Sequence, residues 1–273
     1  MANFLVEDNA SLSGIVAGDT LYVAGRRGGN VTNILTGLDL SGLAAGGLAS
    51  VHVTRAFKAN FGSESTPFKA EVNVSAASVF RNDAAEGELY YTPDGSADTC
   101  VSFRHVGPSS SHLIGSGTVT NLEQLDGLVV VGENITATTV RAAGGKMRIE
   151  GQAGTNPTTM FAGGSGDLYS ARGATTINLF DAGRLTIDAG ADPITTINMY
   201  SGRLDIVQCG TITTLNLFGG DASRILIARP IPVTTVNVWA TVKNVGKFLD
   251  HPFVTFTTTN WLVDQGEVYS TGR

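Results

Sequence analysis

The chain has 273 residues and a mass of 28.4 kDa, enough for one large domain or two small ones. Hydrophobic residues make up 42% and charged residues only 15%, while glycine fills 34 positions; this excludes a coiled coil, a helical bundle and a charged disordered protein. The net charge of −6 and pI of about 5.2 offer no basic face to neutralise phosphates, so nucleic acid is not an expected partner.

Glu7 and Asp8 stand near the start, and no basic stretch precedes an apolar run. No signal peptide is therefore expected, and synthesis in a cytoplasm is. No apolar run approaches the roughly 18 residues of a membrane helix, so no membrane partner is expected. Residues 1–45 read as an N-terminal arm or cap. Residues 46–115 read as an irregular β region that can hold early rungs of a repeat. Strand-like pieces occur at Thr20–Ala24, Val51–Thr54, Glu71–Val74, Leu89–Thr92 and Cys100–Val106, punctuated by Pro67, Pro93 and Pro108. Leu40–Leu48, rich in Gly and Ala, reads as a loop or small helix. Cys100 and Cys209 are far apart and read as two buried free thiols rather than a disulfide.

Residues 116–245 repeat. Thr175-Thr176-Ile177-Asn178-Leu179-Phe180 recurs as Thr195-Thr196-Ile197-Asn198-Met199-Tyr200, as Thr213-Thr214-Leu215-Asn216-Leu217-Phe218 and as Thr234-Thr235-Val236-Asn237-Val238-Trp239. Weaker copies start at Val119, Thr138 and Thr158, so the spacing is about 19 residues. Most copies add a second apolar pair after a Gly-containing turn: Leu128/Val130, Met147/Ile149, Leu185/Ile187, Leu204/Ile206 and Ile225/Ile227. Leu168-Tyr169-Ser170 fits worst.

Each repeat thus holds two short alternating strands that cannot bury an apolar face alone. Stacking repeats about 4.8 Å apart gives every inward pair neighbours above and below. The expected fold is all-β: a parallel β-helix, or solenoid, of short rungs. The structural alternative is an antiparallel sandwich, which would need hairpin turns every 8–12 residues. Residues 246–273 read as a C-terminal cap over an otherwise open sheet edge.

Alternation points Ile177 and Leu179 inward, so Thr176, Asn178 and Phe180 face out. Stacking then builds three rows. Asn178, Asn198, Asn216 and Asn237 read as amides bonding along the stack. Phe180, Tyr200, Phe218 and Trp239 read as a corner stack tucked into the core, as a stripe buried against another subunit, or as a sugar-binding face. Lys146, Arg184, Arg203 and Arg224 form a basic row whose like charges repel unless neutralised. Asp181, Asp188 and Asp205, or carboxylates of a neighbouring subunit, are the expected partners. The asparagines, the aromatics and the three arginines together are the candidate subunit interface.

No nucleophile elbow, phosphate-binding loop or zinc spacing occurs, and no catalytic, cofactor or metal residues are expected. His105 and His112 flank Pro108 and read as loop residues; His52 reads as the outward residue of a strand. An enzymatic reading would rest on Asp188 and Asp205 as a carboxylate pair beside a sugar groove.

Gly18-Asp19-Thr20-Leu21-Tyr22-Val23-Ala24, Gly47-Leu48-Ala49-Ser50-Val51-His52-Val53-Thr54 and the T-T-[ILV]-N-[LMV]-[FYW] rungs together resemble small β-solenoid virion proteins of tailed bacteriophages, capsid cement or decoration proteins first and fibres next. The resemblance implies a non-enzymatic structural protein. It would sit on the capsid exterior as a homotrimer, with the major capsid protein as partner and no cofactor. A fibre or tailspike module binding host glycans is the alternative it leaves open, and a carbohydrate-active β-helix enzyme the third.

Overall fold

The computed structural model describes residues 3–6, 19–24, 34–35, 50–55, 58–61, 80–84, 87–92, 100–151, 155–262 and 268–270. It is a parallel β-solenoid with rungs of about 20 residues and little helix. From Thr20–Ala24 to Ile231–Trp239, consecutive described strands alternate between two sheets. The antiparallel sandwich is thereby excluded. The chain divides into an N-terminal unit, Met1–Thr138 with Gly145–Thr155, and a C-terminal unit, Thr139–Gly144 with Asn156–Arg273. Leu40–Leu48 and Glu71–Val74 lie outside the described residues. Among those described, no helix is long and apolar enough to cross a membrane.

In the N-terminal unit one sheet runs through Asn3–Val6, Thr20–Ala24, Ser50–Arg55, Phe80–Asn82, Cys100–His105 and Gly117–Gln124. The other runs through Ile34–Leu35, Lys58–Phe61, Glu88–Tyr91, Ser110–Leu113, Leu128–Val131 and Lys146–Ile149. Parallel strands thus occur within residues 1–45, which read from sequence as an arm or cap. The second apolar pair of one repeat needs correcting. Leu128 and Val130 face out, and Val129 and Val131 are fully buried, in register with Met147 and Ile149. The run Leu128-Val129-Val130-Val131 is apolar throughout, so alternation alone cannot choose its face.

The core of this unit holds a polar row. Asn82, His105 and Gln124 occupy equivalent inward positions and are all but inaccessible. His105 Nε2 faces the Ser109 carbonyl at 3.1 Å, an oxygen that only accepts. The Nε2–H tautomer follows, leaving Nδ1 to accept from the Ser111 hydroxyl at 2.8 Å. Asn82 Nδ2 donates to Ser111 Oγ at 2.9 Å, and the Ala84 amide donates to Asn82 Oδ1 at 3.0 Å. Gln124 Nε2 donates to the carbonyls of Asp126, Gly127 and Lys146. His105 is therefore a core strand residue rather than a loop residue. His112 faces out and stacks on Tyr90 at 4.9 Å. His52 lies on the outer side of its strand, as expected, and stacks on Tyr22.

In the C-terminal unit one sheet takes Thr139–Ala142, the second half of the strand Ile135–Ala142. It continues through Thr159–Ala162, Ala174–Leu179, Ile194–Met199, Ile212–Leu217, Ile231–Trp239 and Val254–Leu262. The other runs through Asp167–Ser170, Arg184–Asp188, Arg203–Gln208 and Ile225–Ile227. The repeats align as their sequences do, with Ile177, Ile197, Leu215 and Val236 in one inward row and Leu179, Met199, Leu217 and Val238 in another. All eight are at most 1% exposed. Burying each contributes about 1.5–3 kcal/mol. Turns between the sheets stack as closely as the strands do. Gly202 has φ +89°, and a Cβ there would lie 2.5 Å from the Gly183 carbonyl oxygen. At the C-terminal end a short helix, Val245–Leu249, buries Phe248. Val268–Ser270 pairs antiparallel with Asn260–Leu262, occupying the edge that the last parallel strand would expose. Cys209 is a free, half-buried thiol whose pKa burial pushes up to about 12; the side chain of Cys100 lies outside the described set.

Candidate functional site

The outer face of the larger sheet in the C-terminal unit carries three side-chain rows. Thr139, Thr159, Thr176, Thr196, Thr214, Thr235 and Thr258 are in register from strand to strand. Two residues further along lies the asparagine row. Asn198 Nδ2 donates to Asn178 Oδ1 at 3.0 Å, Asn216 to Asn198 at 2.8 Å and Asn237 to Asn216 at 2.8 Å. Asn260 extends it, donating to Asn237 Oδ1 at 2.8 Å. Sequence reading missed this fifth member because Thr259 fills the apolar position of the repeat. The spacing Thr258-x-Asn260 was the available signal.

The aromatic row comes next. Phe180 and Tyr200 stack at 4.8 Å and 12°, Tyr200 and Phe218 at 4.6 Å and 8°, and Phe218 and Trp239 at 4.1 Å and 35°. The rings do not turn into the core, which Leu179 and its equivalents fill. Tyr200 is 41% exposed and the other three are half-buried. Near-parallel stacking covers the ring faces with neighbouring rings and leaves the edges outward. Such pairs add about 0.5–1.5 kcal/mol each beyond burial. Phe161 joins the row from an offset position, 6.5 Å from Phe180, and Arg141 lies 4.9 Å over the Phe161 ring.

The basic row lies on the other sheet, so the structure separates it from the asparagines and aromatics. Arg184 and Arg203 are direct neighbours in register. One carboxylate serves both: Asp205 Oδ2 accepts from Arg184 Nη2 at 2.8 Å and Oδ1 from Arg203 Nε at 2.8 Å. The bond to Asp205 holds the Arg203 guanidinium above its ordinary pKa. Asp205 is thus the intrachain partner anticipated among three acids. Arg224 ends the 3-10 turn Ala222–Arg224. The capping residue of that turn is Asp221, whose carboxylate is held down to about 2 by bonds from Asn244 and Ser223. Lys146 lies in the N-terminal unit, beside Leu128. Asp188 Oδ2 accepts from Tyr169 Oη at 3.2 Å, and Asp188 pairs in register with Gln208. Asp188 and Asp205 are therefore each engaged elsewhere rather than with one another. Replacing Asp205 with Asn is expected to lower the melting midpoint by several degrees at low ionic strength. The deficit should shrink in 1 M salt, because salt screens the exposed repulsion between Arg184 and Arg203. Thermal melts at both salt levels check this.

These rows offer flat, repeated contact surface rather than a convergent set of reactive groups. Among the described residues no group of three or more His, Cys, Asp or Glu is placed to hold a metal ion. Comparison with protein families, curated proteins and solved structures finds no match to the chain.

Proposed function

We propose that this chain is a structural virion protein, a cement or decoration protein. In this reading it assembles on the outer capsid surface as a homotrimer and clamps the major capsid protein beneath it. The supporting observation is the combined asparagine and aromatic face of the C-terminal unit. Its amides bond to one another along the stack, so covering them strands few polar groups. Its rings offer edges in a continuous half-buried stripe, the kind of surface enriched where subunits meet. A rigid repeated face suits closed symmetry about a three-fold axis. Ring stacking also argues against sugar binding along the middle of the stripe, because a pyranose packs on a ring face and both faces of Tyr200 and Phe218 are taken.

The role needs contact area and shape, and no chemistry. It places the protein on the capsid exterior after synthesis in a host cytoplasm. The double variant Phe180→Ser, Tyr200→Ser tests it. The expected result is a folded chain, by circular dichroism, that no longer self-associates and is lost from shells. A variant that keeps the wild-type oligomer and its retention on shells would overturn the reading.

A further inference from the structure

We infer that the C-terminal unit carries a binding cleft for a neutral saccharide at the open end of its aromatic row. The row is filled at Phe180, Tyr200, Phe218 and Trp239, and its next position in register is Gly163, one residue beyond the pair Ala162 and Leu179. Glycine leaves a ring-sized gap there. A Cβ at Gly163 would lie 3.6 Å from Phe180 Cβ and 3.9 Å from its Cδ2, an ordinary van der Waals contact. The backbone at Gly163 is not left-handed, so neither space nor conformation demands glycine at this place. The gap forms a cleft of about 360 Å³ that includes Arg141, Phe161, Gly163, Phe180 and Asp181. That is at the small end of the range for ligand pockets.

Tyr200 and Phe218 have both faces taken by stacked neighbours, and at the far end Trp239 is followed in register by Leu262. Phe180 is stacked by Tyr200 on one side, and on the other its ring neighbour among the described residues is Phe161, parallel to within 12° but offset at 6.5 Å. Part of a ring face is therefore open to the cleft. Polar groups flank it. Arg141 presents its guanidinium over Phe161, and Asp181 lines the same cleft. Asp181 holds a left-handed backbone, φ 52°, and its Oδ2 meets the Gly164 amide at 3.5 Å. A pyranose has an apolar C–H face for the ring and a hydroxyl rim that Arg141 donates to and Asp181 accepts from. One cation and one carboxylate cancel, which selects a neutral sugar over a phosphate or other anion. The cleft is independent of the assembly proposed above, because it uses a ring face where the interface uses ring edges.

Titration of the purified wild-type chain with glucose, galactose and N-acetylglucosamine, followed by amide NMR, tests this. At least one sugar is expected to bind with a dissociation constant on the order of 1 mM, shifting the Gly163, Gly164 and Asp181 amides. Gly163→Phe fills the gap with a ring and is expected to abolish binding while keeping or raising the melting midpoint. Asp181→Asn tolerates the left-handed backbone and is expected to weaken binding by about tenfold, the loss of one charge-assisted bond. Neither change is expected to alter the solution mass. No saturable shift with any of the three sugars at 100 mM, which is about a hundredfold above that constant, would overturn the inference. So would saturation unchanged in both variants, or binding of indole in place of every sugar.

Discussion

Replacing His105 with alanine is expected to destabilise the N-terminal unit by about 3–5 kcal/mol, because it combines a core cavity with stranded polar groups. The ring is fully buried and accepts from Ser111 while donating to the Ser109 carbonyl. Without it both groups lose a partner, and Asn82 Nδ2 loses a neighbour at 3.4 Å. Denaturant unfolding of wild type and variant measures the difference. A loss below about 1 kcal/mol would mean that the row is dispensable. The same residue sets a pH dependence. Burial depresses the His105 pKa below its ordinary 6.5, against smaller opposing effects of the Ser109 and Gly107 backbone and of Asp126 and Asp83. The fold therefore favours the neutral ring. Its stabilisation is complete above pH 6.5 and is lost as pH falls below that value, since the unfolded chain then binds the proton more readily. Melting midpoints should drop between pH 7.5 and pH 5. The drop should be smaller in the alanine variant, with a residue left by His52, whose pKa burial and Arg81 also lower.

Truncating Ile197 to alanine is expected to cost about 3 kcal/mol, within the usual range for core aliphatics. Ile197 is fully buried in the middle of an inward row, between Ile177 and Leu215, and stiff stacked strands leave little room for collapse. Leu226→Ala is the matched control. It removes a similar side chain that is 47% exposed, in register with Asp205 on the outer side, and should change stability by no more than about 0.5 kcal/mol. Similar losses at the two positions would contradict the inward and outward assignment.

The fold was legible where the repeat carries contrast. In Thr175-Thr176-Ile177-Asn178-Leu179-Phe180 polar and apolar residues alternate, so the face of each side chain and the register between copies follow from the letters. Leu128-Val129-Val130-Val131 lacks that contrast, and its face was assigned wrongly by one residue. The buried His105 row was hidden for the opposite reason. Its polar letters suggest solvent, and only the strand pairing of Asn82, His105 and Gln124 shows that they point inside, where Asn82 and His105 bond to Ser111 and Gln124 to backbone carbonyls. At the candidate site the asparagine and aromatic rows were readable from spacing alone. The placement of the arginines on a different sheet, and the single carboxylate between two of them, depend on how each rung turns between its strands. The gap at Gly163 is visible only once Ala162 and Leu179 are known to be partners.

The most direct test of the proposed assembly role is the solution mass of the purified wild-type chain by light scattering or sedimentation. The expected result is a species of about 85 kDa, three times the 28.4 kDa of one chain, that persists on dilution. A clean species at 28.4 kDa across the same concentrations, with the Phe180→Ser, Tyr200→Ser variant indistinguishable from it, would contradict the claim that the aromatic stripe is a subunit contact.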